Sequence, residues 1–219
     1  MRGERGFVLV LFAIFLGLVA FVFFRNLYPL GKKLMLDIHI RHAVDVSLLA
    51  GVHQETEALN SIAKINQALL ILNAIAAPLL ILSAVFPPAA EVLQIIQRMA
   101  NLLKQIQDYF VKLFPYLALG AIIKEAASWR FIPIIFDKPE LSVKRTLSVP
   151  GMPGILVFDE DHEEENLELL LRGCHLFGGG HEIKFDIVCW KRKGVPKGTS
   201  LLNADWQSNM EIEQEEEEE

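Results

Sequence analysis

Residues 7–24, FVLVLFAIFLGLVAFVFF, run for eighteen positions without a polar side chain, behind an opening that carries Arg2 and Arg5. At ~1.5 Å per helical residue the stretch covers ~27 Å, close to the ~30 Å hydrocarbon core of a bilayer. It predicts a transmembrane helix with Phe7, Phe12, Phe15, Phe21 and Phe24 as its bulky lipid-facing residues. A secretory signal is the competing reading, since it too sets a basic region before an apolar one. The run is longer than such signals use, and Arg25 to Lys33 offers no small-x-small cleavage pattern, so retention as an anchor is expected. Arg2 and Arg5 lie on one flank and Arg25, Lys32 and Lys33 on the other, which leaves orientation undecided by charge.

Downstream of the anchor, a break is expected at Pro29-Leu30-Gly31, followed by a long amphipathic helix to about Asn66. Within it Ala43, Ser47, Ala50 and Gly51 form a small-residue stripe at helical spacing. Small side chains let a second helix approach closely, either the chain's own next helix or one from a neighbouring subunit. Residues 67–129 are a hydrophobic helical segment. Leu69 to Phe86 is interrupted only by Asn73, Pro78 and Ser83, Pro87-Pro88 follows, and an amphipathic stretch from Glu91 to Lys112 leads to a third apolar run, Leu113 to Ala127. A helical hairpin insert is expected there. The alternative is a polytopic protein in which Leu69 to Phe86 also spans the membrane, with a soluble β domain for sensing or regulation.

After Trp129 the pattern shifts to short β-rich segments: Phe131 to Phe136, Leu141 to Val149, Ile155 to Phe158, Leu167 to Phe177 and Glu182 to Lys191. The fold class is therefore α+β, with a small C-terminal antiparallel sheet over residues 130–210. A tight turn at Gly178-Gly179-Gly180 sets Phe177 opposite His181, which places Cys174 opposite Lys184 and Cys189 opposite Leu169. In that register the two cysteines lie on opposite faces and stay free thiols.

The net charge of −6 is concentrated in the tail, where Glu211, Glu213 and Glu215 to Glu219 sit, so the body is nearly neutral. Residues 211–219 read as a solvated, disordered tail. At 219 residues and 52% hydrophobic content, the chain accommodates the anchor and one compact body. His39, His42 and Asp45 share helical spacing, but a solvated polar stripe is the stronger reading than a metal site. Asp159 to Glu165 lacks the glycine and alternating spacing of a calcium loop. Hydrolase, zinc and phosphate-loop patterns are missing, and Lys191, Arg192, Lys193 and Lys197 adjoin only Trp190. Enzymatic activity, a cofactor, a metal and nucleic-acid binding are therefore not expected.

The segment Arg41 to Gly51, RHAVDVSLLAG, with its central Asp45, followed by Glu57 to Asn66 with Leu59, Asn60 and Asn66, resembles the stretch after the membrane helix in TadE/TadG-like proteins of the tight-adherence (Flp) pilus system. The opening Arg2 to Phe7 and the final Asp205-Trp206-Gln207 are similar to that family as well. The likeness covers about sixty N-terminal residues, with Val44, Val46, Leu48 and Leu49 standing where the family pattern is mostly alanine. It implies a pilin-like or minor-pilin-like structural subunit, single-pass in the bacterial inner membrane, with residues 1–6 cytoplasmic and the bulk extracytoplasmic. It also implies an anchor over residues 7–24, a pilin-like helix over residues 25–66, and Asp45, Leu59, Asn60 and Asn66 as motif positions. Its partners would be membrane lipid and other pilus subunits or copies of itself. Gly6-Phe7 is the candidate processing site, although the fifth residue from Phe7 is Leu11, where pilins cut by prepilin peptidase carry glutamate.

Overall fold

The computed structural model describes residues 3–136, 139–159, 167–179 and 184–211. Two long helices dominate it. Helix α1 (Gly3–Ser83) runs for 81 residues, about 120 Å at the helical rise. The break expected at Pro29-Leu30-Gly31 does not occur: α1 passes through Pro29 and Pro78. Proline removes one intrahelical hydrogen bond, and here the turns on either side keep helical geometry.

Helix α2 (Pro87–Trp129) begins where a helix tolerates proline best, with Pro87 and Pro88 in its first positions. It ends at Arg130, whose left-handed backbone (φ 57°) returns its N–H to the carbonyls of Ala126 and Ala127. Residues 113–127, read as a separate segment, belong to this one helix, which continues through Pro115. After the turn at residues 84–86, α2 runs back beside α1. Gln107 reaches Ile62, and the Trp129 ring lies 5.3 Å from those of His39 and His42.

Six strands follow: β1 (Ile132–Ile135), β2 (Val143–Arg145), β3 (Leu156–Phe158), β4 (Leu169–Gly179), β5 (Lys184–Lys197) and β6 (Gln207–Glu211). Four form an antiparallel sheet in the order β1-β4-β5-β6, and β2 pairs with β3 alone. Pro133 sits in the edge strand β1, where its missing N–H disturbs no ladder on the outer side. The protein is thus mostly helical, with a small antiparallel sheet at its C-terminal end.

The β4–β5 hairpin corrects the sequence reading. Its strands extend past Phe177 through Gly178 and Gly179, Gly179 pairs with Lys184, and Gly180 lies outside the described residues. The glycines therefore lengthen β4 rather than make the tight turn. The register moves by an odd number of residues, which brings Cys174 directly opposite Cys189 with α-carbons 4.2 Å apart. The two are joined as a disulfide and are not free thiols. The acidic stretch after Asp159 and the tail beyond Glu211 lie outside the described residues.

The body is held by three apolar clusters stacked along α1. The first joins Ile40, Val44 and Leu48 to Ile122, Leu169 and Leu171. The second joins Leu59 and Ile62 to Phe114, Leu156 and Trp206, and the third joins Leu69 and Ala76 to Leu93, Ile96 and Met152. One helix therefore serves as spine and core wall.

Candidate membrane anchor and helix–sheet joint

From Phe12 to Met35 every residue of α1 is exposed, so nothing among the described residues covers this part of the helix. Phe12, Phe15, Phe21 and Phe24 are 59–69% exposed. An apolar surface of this extent in water would be a large aggregation liability, and lipid or a protein partner has to cover it. The helix is long and apolar enough to cross a membrane. The side chain of Phe7 lies outside the described residues, and Gly6 is already within α1.

The motif positions lie together where α1 grips the sheet. The Asp45 carboxylate accepts a hydrogen bond from Arg192 Nε of β5 at 3.0 Å. Arg192 also lies 4.9 Å from the Trp190 ring, and Arg41 stacks on the same ring at 3.9 Å. Leu59 is fully buried in the second cluster. Asn60 uses both ends of its amide on the backbone of one residue: Nδ2 donates to the Trp206 carbonyl, and Oδ1 accepts from the Trp206 N–H, each at 3.1 Å. The chain entering β6 is thereby held to the helix as a neighbouring strand would hold it.

Asn66 makes the densest set of contacts. Its Nδ2 donates to the carbonyls of Leu156 (2.7 Å) and Leu201 (2.8 Å), while Oδ1 accepts from the Leu156 N–H and from Gln107 Nε2, both at 2.8 Å. Gln107 Oε1 in turn accepts from Arg145 Nη1 at 3.1 Å, and Arg145 pairs with Asp108. One polar chain therefore ties α1, α2, β2, β3 and the loop before β6 together. Gln107, Arg145 and Asp108 carry no signal in the sequence, because single polar residues on an amphipathic helix or short strand look like surface positions. A smaller device steadies the same loop: the Thr199 hydroxyl donates to Asp205 at 2.7 Å and holds that carboxyl below the usual aspartate range.

The small-residue stripe is internal. Ala43, Ser47 and Gly51 are buried and Ala50 is half-buried. A Cβ on Gly51 would stand 2.7 Å from Ile122 Cγ1 and 3.3 Å from Leu169 Cδ1, so the stripe closes α1 onto α2 and β4, not onto another subunit. Gly51→Ala is accordingly expected to cost about 1–3 kcal/mol through overpacking. A thermal melt of the detergent-solubilised chain measures this, and an unchanged midpoint would show that the contact yields freely.

His39 and His42 face Trp129, and Asp45 is taken by Arg192, so the three do not converge on a metal. Among the described residues no group of three His, Cys, Asp or Glu side chains is arranged to hold an ion. Comparison with protein-family models, curated proteins and solved structures returns no match.

Proposed function

We propose that the chain is a membrane-anchored, pilin-like structural subunit that assists assembly or anchoring of a tight-adherence (Flp) type pilus or related secretion machine. The uncovered apolar length of α1 from Phe12 to Phe24, continuous with the helix that carries the packed body, supports this reading best. The Cys174–Cys189 disulfide supports an extracytoplasmic body, because such bonds persist in oxidising compartments. The resemblance around Asp45, Leu59, Asn60 and Asn66 falls on the residues that fasten the sheet to the helix. Its partners on this reading are inner-membrane lipid and other pilus subunits or further copies of itself, and its work is assembly rather than turnover.

The polytopic alternative places Leu69 to Phe86 in the same bilayer as the anchor. Between Phe24 and Leu69 α1 is one continuous helix, roughly 68 Å at the helical rise, which separates the two apolar stretches by more than a bilayer's thickness. Reporter fusions that are active only after export test the topology. Fusions after Ser83, after Asn101 and at the C-terminus should all be active. An inactive C-terminal fusion, or a full-length chain recovered free of membranes, would overturn the anchored, exported reading.

A further inference from the structure

Helix α2 carries a second apolar face that the described residues leave open. Val92, Ile95, Met99, Leu102, Ile106 and Tyr109 recur at alternating spacings of three and four residues and are 39–67% exposed. They are distinct from the residues α2 turns inward, such as Leu93, Ala100 and Gln107. Alternation of three and four is the 3.5-residue repeat of a left-handed coiled coil, which a lipid surface does not require. The residues flanking this face are Glu91, Arg98, Gln105 and Lys112. All four are exposed, and none has a hydrogen bond or ion pair of its side chain among the described residues.

We propose that this face packs antiparallel against the same face of a second copy of the chain, about a two-fold axis between Met99 and Leu102. The apolar layers then pair along the whole face: Val92 of each copy meets Tyr109 of the other, Ile95 meets Ile106, and Met99 meets Leu102. In this register the flanks are complementary, with Glu91 of each copy beside Lys112 of the other and Arg98 beside Gln105. A slip of one heptad in one direction sets Arg98 against Lys112, and in the other direction Arg98 against Arg98. A parallel pairing sets all four flank residues beside apolar side chains and joins no opposite charges. Charge therefore selects one orientation and one register from those the apolar stripe permits.

The two-fold axis points the anchors of the two copies apart. Both can enter one bilayer only where α1 departs from the continuous helix it forms through Pro29. The inference is argued from α2 alone.

The full-length chain in detergent micelles, with its disulfide intact, provides the test. It should sediment as a dimer. Glu91→Lys and Lys112→Glu should each weaken the dimer about tenfold, since each replaces two attractive pairs by two repulsive ones, and the double variant should return it to the parent value. A short thiol cross-linker should join a chain carrying Ile95→Cys to one carrying Ile106→Cys, but not Ile106→Cys to itself. A monomer at every concentration, a double variant no tighter than the single ones, or self-linking of Ile106→Cys would overturn the proposal. These flank positions are exposed, so the charge reversals leave the fold intact.

Discussion

Replacing Asn66 by alanine is expected to lower the stability of the body by about 3–5 kcal/mol, because one truncation strands several buried groups at once. The Leu156 N–H, the Leu156 and Leu201 carbonyls and the Gln107 amide all pair with this side chain, and Asn66 is fully buried. Few other groups in that part of the core offer a replacement, so most of the desolvation of each is left uncompensated. Asn66→Asp separates geometry from polarity. An aspartate keeps acceptors for the Leu156 N–H and Gln107 but turns two donor contacts into oxygen facing oxygen, so it should be nearly as damaging at neutral pH. Denaturant melts of the micelle-bound chain give the stability, and hydrogen exchange at the Leu156 amide gives a local readout. Exchange there should quicken well beyond that of the β4–β5 ladder. A loss below 1 kcal/mol with unchanged exchange at Leu156 would show that water or a shifted side chain takes over these bonds.

The parts of this fold that were legible in the sequence are those written in runs. Eighteen apolar residues announce a helix long and apolar enough to cross a membrane, and the period-two stretches after Trp129 announce strands. What was illegible depended on single positions. Pro29 and Pro115 each argue for a break, yet the neighbouring turns alone carry α1 through Pro29, and α2 continues through Pro115 beside the buried Phe114. The glycine triplet suggests the tightest possible turn, but glycine is also tolerated in a strand, and the longer ladder it permits changes the register and hence the fate of both cysteines. The small-residue stripe was legible as a packing surface while its partner was not, since helical spacing is the same whether the second helix belongs to the same chain or another. Asn60 and Asn66 were reached through resemblance alone. Nothing local distinguishes them from the exposed polar residues around them, and their role lies in backbone that is 90–146 residues away in sequence.

Glu55 was likewise hidden among helical polar residues, and it leads to the second large effect. It follows Ser47 and Gly51 on the inward face of α1, is fully buried, and neither carboxylate oxygen has a hydrogen-bond partner. Burial pushes its carboxyl from 4.5 up to about 9, so the folded protein holds this group neutral at pH 7. The unfolded chain releases the same proton above its ordinary value. Between pH 4.5 and 9 the native state therefore binds more protons than the unfolded one, and stability contributed by this site falls as pH rises across that window, levelling off beyond each end. The slope approaches ~1.4 kcal/mol per pH unit at its steepest, which makes the body several kcal/mol less stable at pH 8 than at pH 5. Glu55→Met replaces the carboxyl with an apolar side chain of similar length. It should flatten that dependence and leave the variant about 3 kcal/mol or more above the parent at pH 8, with the two drawing together near pH 5. Urea titrations from pH 5 to 9 measure both curves. Parallel curves would mean that the Glu55 carboxylate finds water or a cation in the folded protein and ionises in place.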